Sequence, residues 1–137
     1  MRTARPIFAG LAWLFVAMVV VQVFLAGMAL FAGGDFATHR DFGYLLSVSP
    51  LLVLVAAWPA RAGRSTLLFA AALLIVTFGQ TILPVLRADL PIVAALHPPT
   101  ALLVFWMALT VARRATALAR TPEDRAADAI EAQRTAS

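Results

Sequence analysis

The chain contains no cysteine and no lysine, one tyrosine, two histidines, and charged side chains at only 13% of its 137 positions. Without cysteine there is no disulfide, no thiolate metal site, no covalently attached haem and no thiol nucleophile. Without lysine, the basic balance is eleven arginines against seven acidic residues, a net charge of +4. Those arginines flank apolar runs instead of forming a patch, so the charge describes membrane topology and excludes a nucleic-acid partner.

What the chain has in abundance is apolar sequence, 62% of all residues. A soluble domain of this size cannot hide so much apolar surface, so the solvent is a lipid bilayer. The runs predict spanning helices over residues 6–33, 36–60, 65–86 and 90–115, each near or above the roughly 20 residues a span requires. The expected fold is all-α: an integral membrane four-helix bundle, up-down-up-down, followed by a polar tail over 116–137. The first run is longer than the roughly 7 to 15 apolar residues of a cleavable signal segment and reads as a retained anchor.

Arg2 and Arg5 precede the first helix, Arg61 and Arg64 occupy the second loop, and Arg113, Arg114 and Arg120 follow or end the fourth. The other two loops set Arg40 and Arg87 against Asp35, Asp41 and Asp89. The positive-inside rule then predicts a bacterial inner-membrane protein with both termini and the tail in the cytoplasm.

Local punctuation refines the helices. Gly33-Gly34 is expected to end helix 1, with Asp35 or Thr38 capping helix 2. Pro50 should kink helix 2 and Pro84 disturb helix 3. Ser65 or Thr66 is a candidate cap for helix 3. Pro98-Pro99 suits a first turn of helix 4 and places His97 at or just before its cap, with a kinked helix running from Asp89 as the competing picture. Thr121-Pro-Glu-Asp could start a short helix in the tail or belong to a solvated end.

The two histidines, His39 and His97, each lie 17 residues after a glutamine, Gln22 and Gln80. At an offset of 58, residues 7–45 meet 65–103 without a gap and pair both glutamines and both histidines. This pattern suggests two duplicated helical hairpins with one imidazole each. In an up-down-up-down bundle, helices 2 and 4 begin on the same side and can face each other diagonally, which is the geometry two axial ligands of one haem require.

Gly43 and Ala101, four residues after each histidine, would leave room for a flat macrocycle one turn down. Arg40 and Arg87 lie at the rim where propionates would emerge. Phe36, Phe42 and Tyr44 could shield one edge, while Gln22 and Gln80 could hydrogen-bond each other, a helix carbonyl or a bound ring. Every position has a plainer alternative. Intramembrane histidines and glutamines also serve as links between helices, arginines as interfacial anchors, and small residues as packing surfaces. A zinc or copper site would need Asp35, Asp41 or Asp89 to complete its ligands.

Gln22-Val-Phe-Leu-Ala-Gly27, His39-Arg-Asp-Phe-Gly-Tyr-Leu-Leu46, Gln80-Thr-Ile-Leu-Pro84 and Leu96-His-Pro-Pro-Thr-Ala-Leu-Leu-Val-Phe-Trp106 resemble a family of small four-helix bacterial membrane proteins, common in actinobacteria, with no assigned function. The resemblance covers roughly residues 7–115. More distantly, histidines opening helices 2 and 4 resemble one half of haem A synthase and the cytochrome b561 type of membrane cytochrome. This likeness implies a b-type haem held by His39 and His97. No glutamate matches that of the active half of haem A synthase, so its chemistry is not implied.

The sequence thus predicts a small b-type cytochrome or haem-carrying electron-transfer subunit with two histidine ligands. The rival is a cofactor-free accessory or structural subunit of a larger membrane complex. Besides the lipid bilayer, the candidate partners are subunits of a respiratory or other membrane complex, or further copies of the chain. No nucleophile, base and orienting group form a recognisable set, which argues against an enzyme. The apolar runs 6–33, 42–60, 65–86 and 90–112 hold no Asp or Glu to titrate, which argues against a proton-coupled exporter.

Overall fold

A computed structural model describes residues 3–120 and 133–135. The expected start of a tail helix at Thr121 lies outside the described residues. Within them the protein is helical throughout, with α1 Ala4–Phe31, α2 Ala37–Val48, α3 Pro50–Ala57, α4 Arg64–Gly79, a 3-10 turn Leu83–Arg87, α5 Pro91–Ala94 and α6 His97–Ala119. These elements form four spans, Ala4–Phe31, Ala37–Ala57, Arg64–Arg87 and Pro91–Ala119, each long and apolar enough to cross a membrane. The chain is therefore a multi-pass membrane protein.

α1 packs most extensively on α6 and also on α2 and α3, while α4 packs on α2, α3 and α6. Sequential spans are thus neighbours, and spans 2 and 4 face each other across a diagonal. The buried core lies toward the end that carries Thr3 and Arg120, where Phe8, Phe15, Val53, Leu73 and Val111 are almost fully enclosed. Toward the opposite, histidine-bearing end, no described residue beyond Val19, Leu46, Thr77 and Val104 is buried. The bundle is dry and close-packed at one end, polar and looser at the other.

Polar links pin the packed end. Trp13 Nε1 donates to Thr116 Oγ1 at 2.9 Å, tying α1 to α6. The Arg114 guanidinium lies over the Phe69 ring, 4.9 Å from its centroid, and Phe69 meets Trp106 edge-on at 5.7 Å. These residues join α4 to α6 where an arginine can reach the interface and still cover an aromatic face.

Proline and glycine shape the spans. Pro50 has no N–H for the Leu46 carbonyl, and Ser49 takes its place, donating through Oγ at 2.8 Å and its own amide at 3.3 Å. Ser49 keeps right-handed dihedrals, so span 2 bends between α2 and α3 instead of breaking. Gly33, at φ 72°, reverses the chain after α1. Asp35 accepts the Ala37 amide through Oδ1 at 2.9 Å at the start of α2, whereas Thr38 lies inside that helix.

Two local expectations are corrected. Neither Ser65 nor Thr66 caps span 3: Gly63 is the cap, and its carbonyl accepts the amides of both Thr66 and Leu67. Span 3 itself covers Arg64–Arg87, close to the expected 65–86; within it α4 ends at Gly79, because Pro84 denies the Gln80 carbonyl its helical donor and the backbone tightens into 3-10 geometry. In span 4, His97 is the first residue of α6, after the separate turn α5, and the helix runs on to Ala119.

Candidate functional site

The two glutamine–histidine pairs fold into the same hydrogen-bonded unit. His39 Nδ1 lies 3.0 Å from the Gln22 carbonyl oxygen and His97 Nδ1 lies 3.1 Å from that of Gln80. A carbonyl can only accept, so in both rings Nδ1 carries the proton, and in the neutral imidazole Nε2 then holds the lone pair. In return, the Gln22 side-chain amide donates to the His39 carbonyl at 2.8 Å, and the Gln80 amide donates to that of His97 at 3.3 Å. The 17-residue spacing in the sequence is thus a spatial contact, made twice.

The backbone makes those carbonyls available differently. Gln80 sits four residues before Pro84, so its carbonyl has no helical donor and is free for His97. Gln22 lies inside α1 and offers its second lone pair. Residue 26, the repeat equivalent of Pro84, is an ordinary alanine.

The pairs meet across the bundle. The His39 and His97 ring centroids are 6.3 Å apart with 77° between planes, so α2 and α6 deliver their imidazoles to one depth from opposite corners. Phe36 meets His39 edge-on at 5.9 Å. Both histidines and both glutamines are half-buried, in the layer beyond the close-packed core.

The halves differ in detail. Gln22 Nε2 also lies 3.2 Å from His39 Nε2, and since that ring nitrogen bears the lone pair, the amide caps it. Gly43 permits this pose: a Cβ there would stand 2.9 Å from Gln22 Nε2. The space over Gly43 is thus taken by the Gln22 amide, not left open for a macrocycle. Ala101 occupies the equivalent position in the second half. There Thr100 Oγ1 lies 2.7 Å from the Leu96 carbonyl, 3.0 Å from Gln80 Oε1 and 3.2 Å from the His97 carbonyl, three acceptors for one hydroxyl proton, and no donor caps His97 Nε2 among the described residues. The repeat equivalent of Thr100 is Phe42, which cannot donate, and Gln22 Oε1 is buried without a hydrogen-bond partner among the described residues.

Sequence reasoning missed Thr100. Its spacing, three residues after His97, places it on the same face of α6, and a hydroxyl there is the available signal. Among the other expected residues, Arg40 pairs with its neighbour Asp41 at 3.1 Å, both exposed, and Arg87 is exposed on the 3-10 turn. Neither hydrogen-bonds to the glutamine–histidine pairs among the described residues. Tyr44 faces outward, and Phe42 packs partly against the core. No three His, Asp or Glu side chains converge among the described residues, so the zinc or copper alternative lacks its further ligands there.

Residues 22–86 match the model of a family of unknown function, DUF6220. The match spans under half of the chain, beginning at Gln22 and taking in His39, Gly43, Gln80 and Pro84 but not His97 or Thr100. No curated protein and no solved structure matches the chain. A resemblance to haem A synthase or cytochrome b561 is thus not shown.

Proposed function

We propose that the protein is a small membrane cytochrome in which His39 and His97 are the axial ligands of one b-type haem, serving electron transfer within the bilayer. One observation carries this reading: the imidazoles face across the diagonal with centroids 6.3 Å apart, each with Nδ1–H fixed on a backbone carbonyl. Two metal–imidazole bonds of about 2 Å each, plus the half-width of each ring, separate ring centres by roughly 6 Å. The tautomer is the one ligation requires, and a ligating histidine commonly donates its other N–H to a carbonyl, which orients the ring.

To hold the group, the Gln22 amide must leave His39 Nε2 and the helices at that end must part around the ring. The absence of buried side chains beyond Val19, Leu46, Thr77 and Val104, among the described residues, leaves that end of the bundle the freedom to open around a flat ring. When bound, such a haem supplies one-electron redox chemistry, and two protein ligands leave no axial position for a substrate. His39→Ala and His97→Ala should each abolish stoichiometric haem in the purified protein. A bis-imidazole spectrum that survives either substitution contradicts the assignment.

The second reading, a cofactor-free accessory subunit, is favoured by that same amide. With His39 Nε2 capped and the Gly43 space filled, the two clasps would act as polar links between helices. In either case we place the protein in the bacterial inner membrane with both termini cytoplasmic, on the strength of the arginines at positions 2, 5, 61, 64, 113, 114 and 120.

A further inference from the structure

The two halves of the repeat present their Nε2 lone pairs unequally, and the side chains that differ between the halves account for it. Where one half sets Phe42 and Gly43 around Gln22, the other sets Thr100 and Ala101 around Gln80. Thr100 Oγ1 stands 3.0 Å from Gln80 Oε1, sharing its one proton with the Leu96 carbonyl at 2.7 Å, and the Gln80 amide keeps its single link to the His97 carbonyl at 3.3 Å. Phe42 offers no proton, so Gln22 Oε1 is orphaned, and Gly43 lets the amide settle onto His39, 2.8 Å from its carbonyl and 3.2 Å from Nε2. An amide that forgoes its acceptor bond while covering a ligand nitrogen is easily displaced, because the pose it leaves is itself unsatisfied.

We infer that Gln22 is a displaceable cap on His39 Nε2, so that His97 presents the open nitrogen and His39 would become available to hold a metal centre only when the amide swings away. Gln22 and Gly43 are thereby positioning residues for the His39 ligand. The metal-centre part of the inference rests on the proposed haem reading; the inequivalence of the two nitrogens does not.

The apo-protein in detergent, treated with diethyl pyrocarbonate and mapped by mass spectrometry, tests the cap directly, because this reagent acylates an imidazole nitrogen with a free lone pair. His97 should react roughly three- to tenfold faster than His39, the weight of one intramembrane hydrogen bond. Gln22→Leu removes the cap, Gly43→Ala displaces it by steric contact, and Phe42→Thr draws the amide toward a new donor. Each should bring the His39 rate within about twofold of that of His97, while Gln80→Leu should leave the His97 rate unchanged. Three routes to the same outcome keep the test decisive if one variant fails to fold.

Titrated with haem, the Gln22→Leu and Gly43→Ala proteins should form the bis-imidazole species roughly three- to tenfold more tightly than the parent. Equal reactivity of the two histidines in the parent, or a His39 rate unmoved by all three variants, overturns the cap even if haem binds. Haem binding by none of the proteins overturns the proposed function, and the cap's role toward a metal centre with it, even if the reactivities differ as stated.

Discussion

At the scale of the residue, polar side chains in this bundle are governed by whether each donor and acceptor finds a partner where water is scarce. Thr100 offers Gln80 Oε1 a share of its hydroxyl proton, and nothing equivalent among the described residues reaches Gln22 Oε1. Thr100→Val should therefore cost about 0.6 to 1.7 kcal/mol, read by unfolding in mixed micelles. Phe42→Thr should restore part of a similar amount, offset by weaker apolar packing, since Phe42 rests partly on the core and threonine is much smaller. A destabilising Thr100→Val would be unremarkable alone; the two substitutions having unlike signs for their polar contributions is what the unequal repeat requires. The glutamines and histidines were legible in the sequence because rare polar residues recurring at 17 and 58 positions stand out in an apolar chain. Thr100 was not, since threonine is common in spanning helices and the repeat sets it opposite a phenylalanine.

At the scale of the element, proline and glycine decide where each span bends and which carbonyl is freed. Pro50 bends span 2 and Ser49 satisfies the carbonyl left behind, while Pro84 ends the regular helix and releases the Gln80 carbonyl for an imidazole. Gly33 takes φ 72° with open space around it, so a methyl group there meets a conformational penalty and no clash. Gly33→Ala should lower stability by about 1 kcal/mol. Gly34→Ala, with no such dihedral and a backbone contact at 3.3 Å from the Met28 oxygen, should reveal its effect through that crowding alone. The number of spans and the kink at Pro50 could be read from apolar length and proline chemistry. The caps at residues 63–66 could not, because a glycine carbonyl serving two amides leaves no side-chain signature.

At the scale of the whole molecule, a close-packed end stands opposite a looser end that carries the histidines. Residues such as Phe8, Phe15 and Val111 hold the helices together, which leaves the opposite layer free of that demand and able to carry four polar side chains. The sequence pointed to the diagonal facing of spans 2 and 4 through their common starting side. It could not show that the glutamines would clasp the histidines, because that depends on how far the spans approach at one depth.

Topology is testable with single cysteines in this cysteine-free chain: Asp35→Cys should label from outside the cell and Gly63→Cys only after permeabilisation. Both positions are exposed, whereas the adjacent Ala62 is buried. The reverse pattern would put the histidine layer on the cytoplasmic side. The central claim, that two facing imidazoles hold one haem, is met most directly by the absorption spectrum of the native membrane-purified protein before and after dithionite. A Soret band with a sharp reduced α band, at one haem per chain, is the expected result. A protein folded to its full helical content with no absorbance beyond its aromatic residues would contradict it.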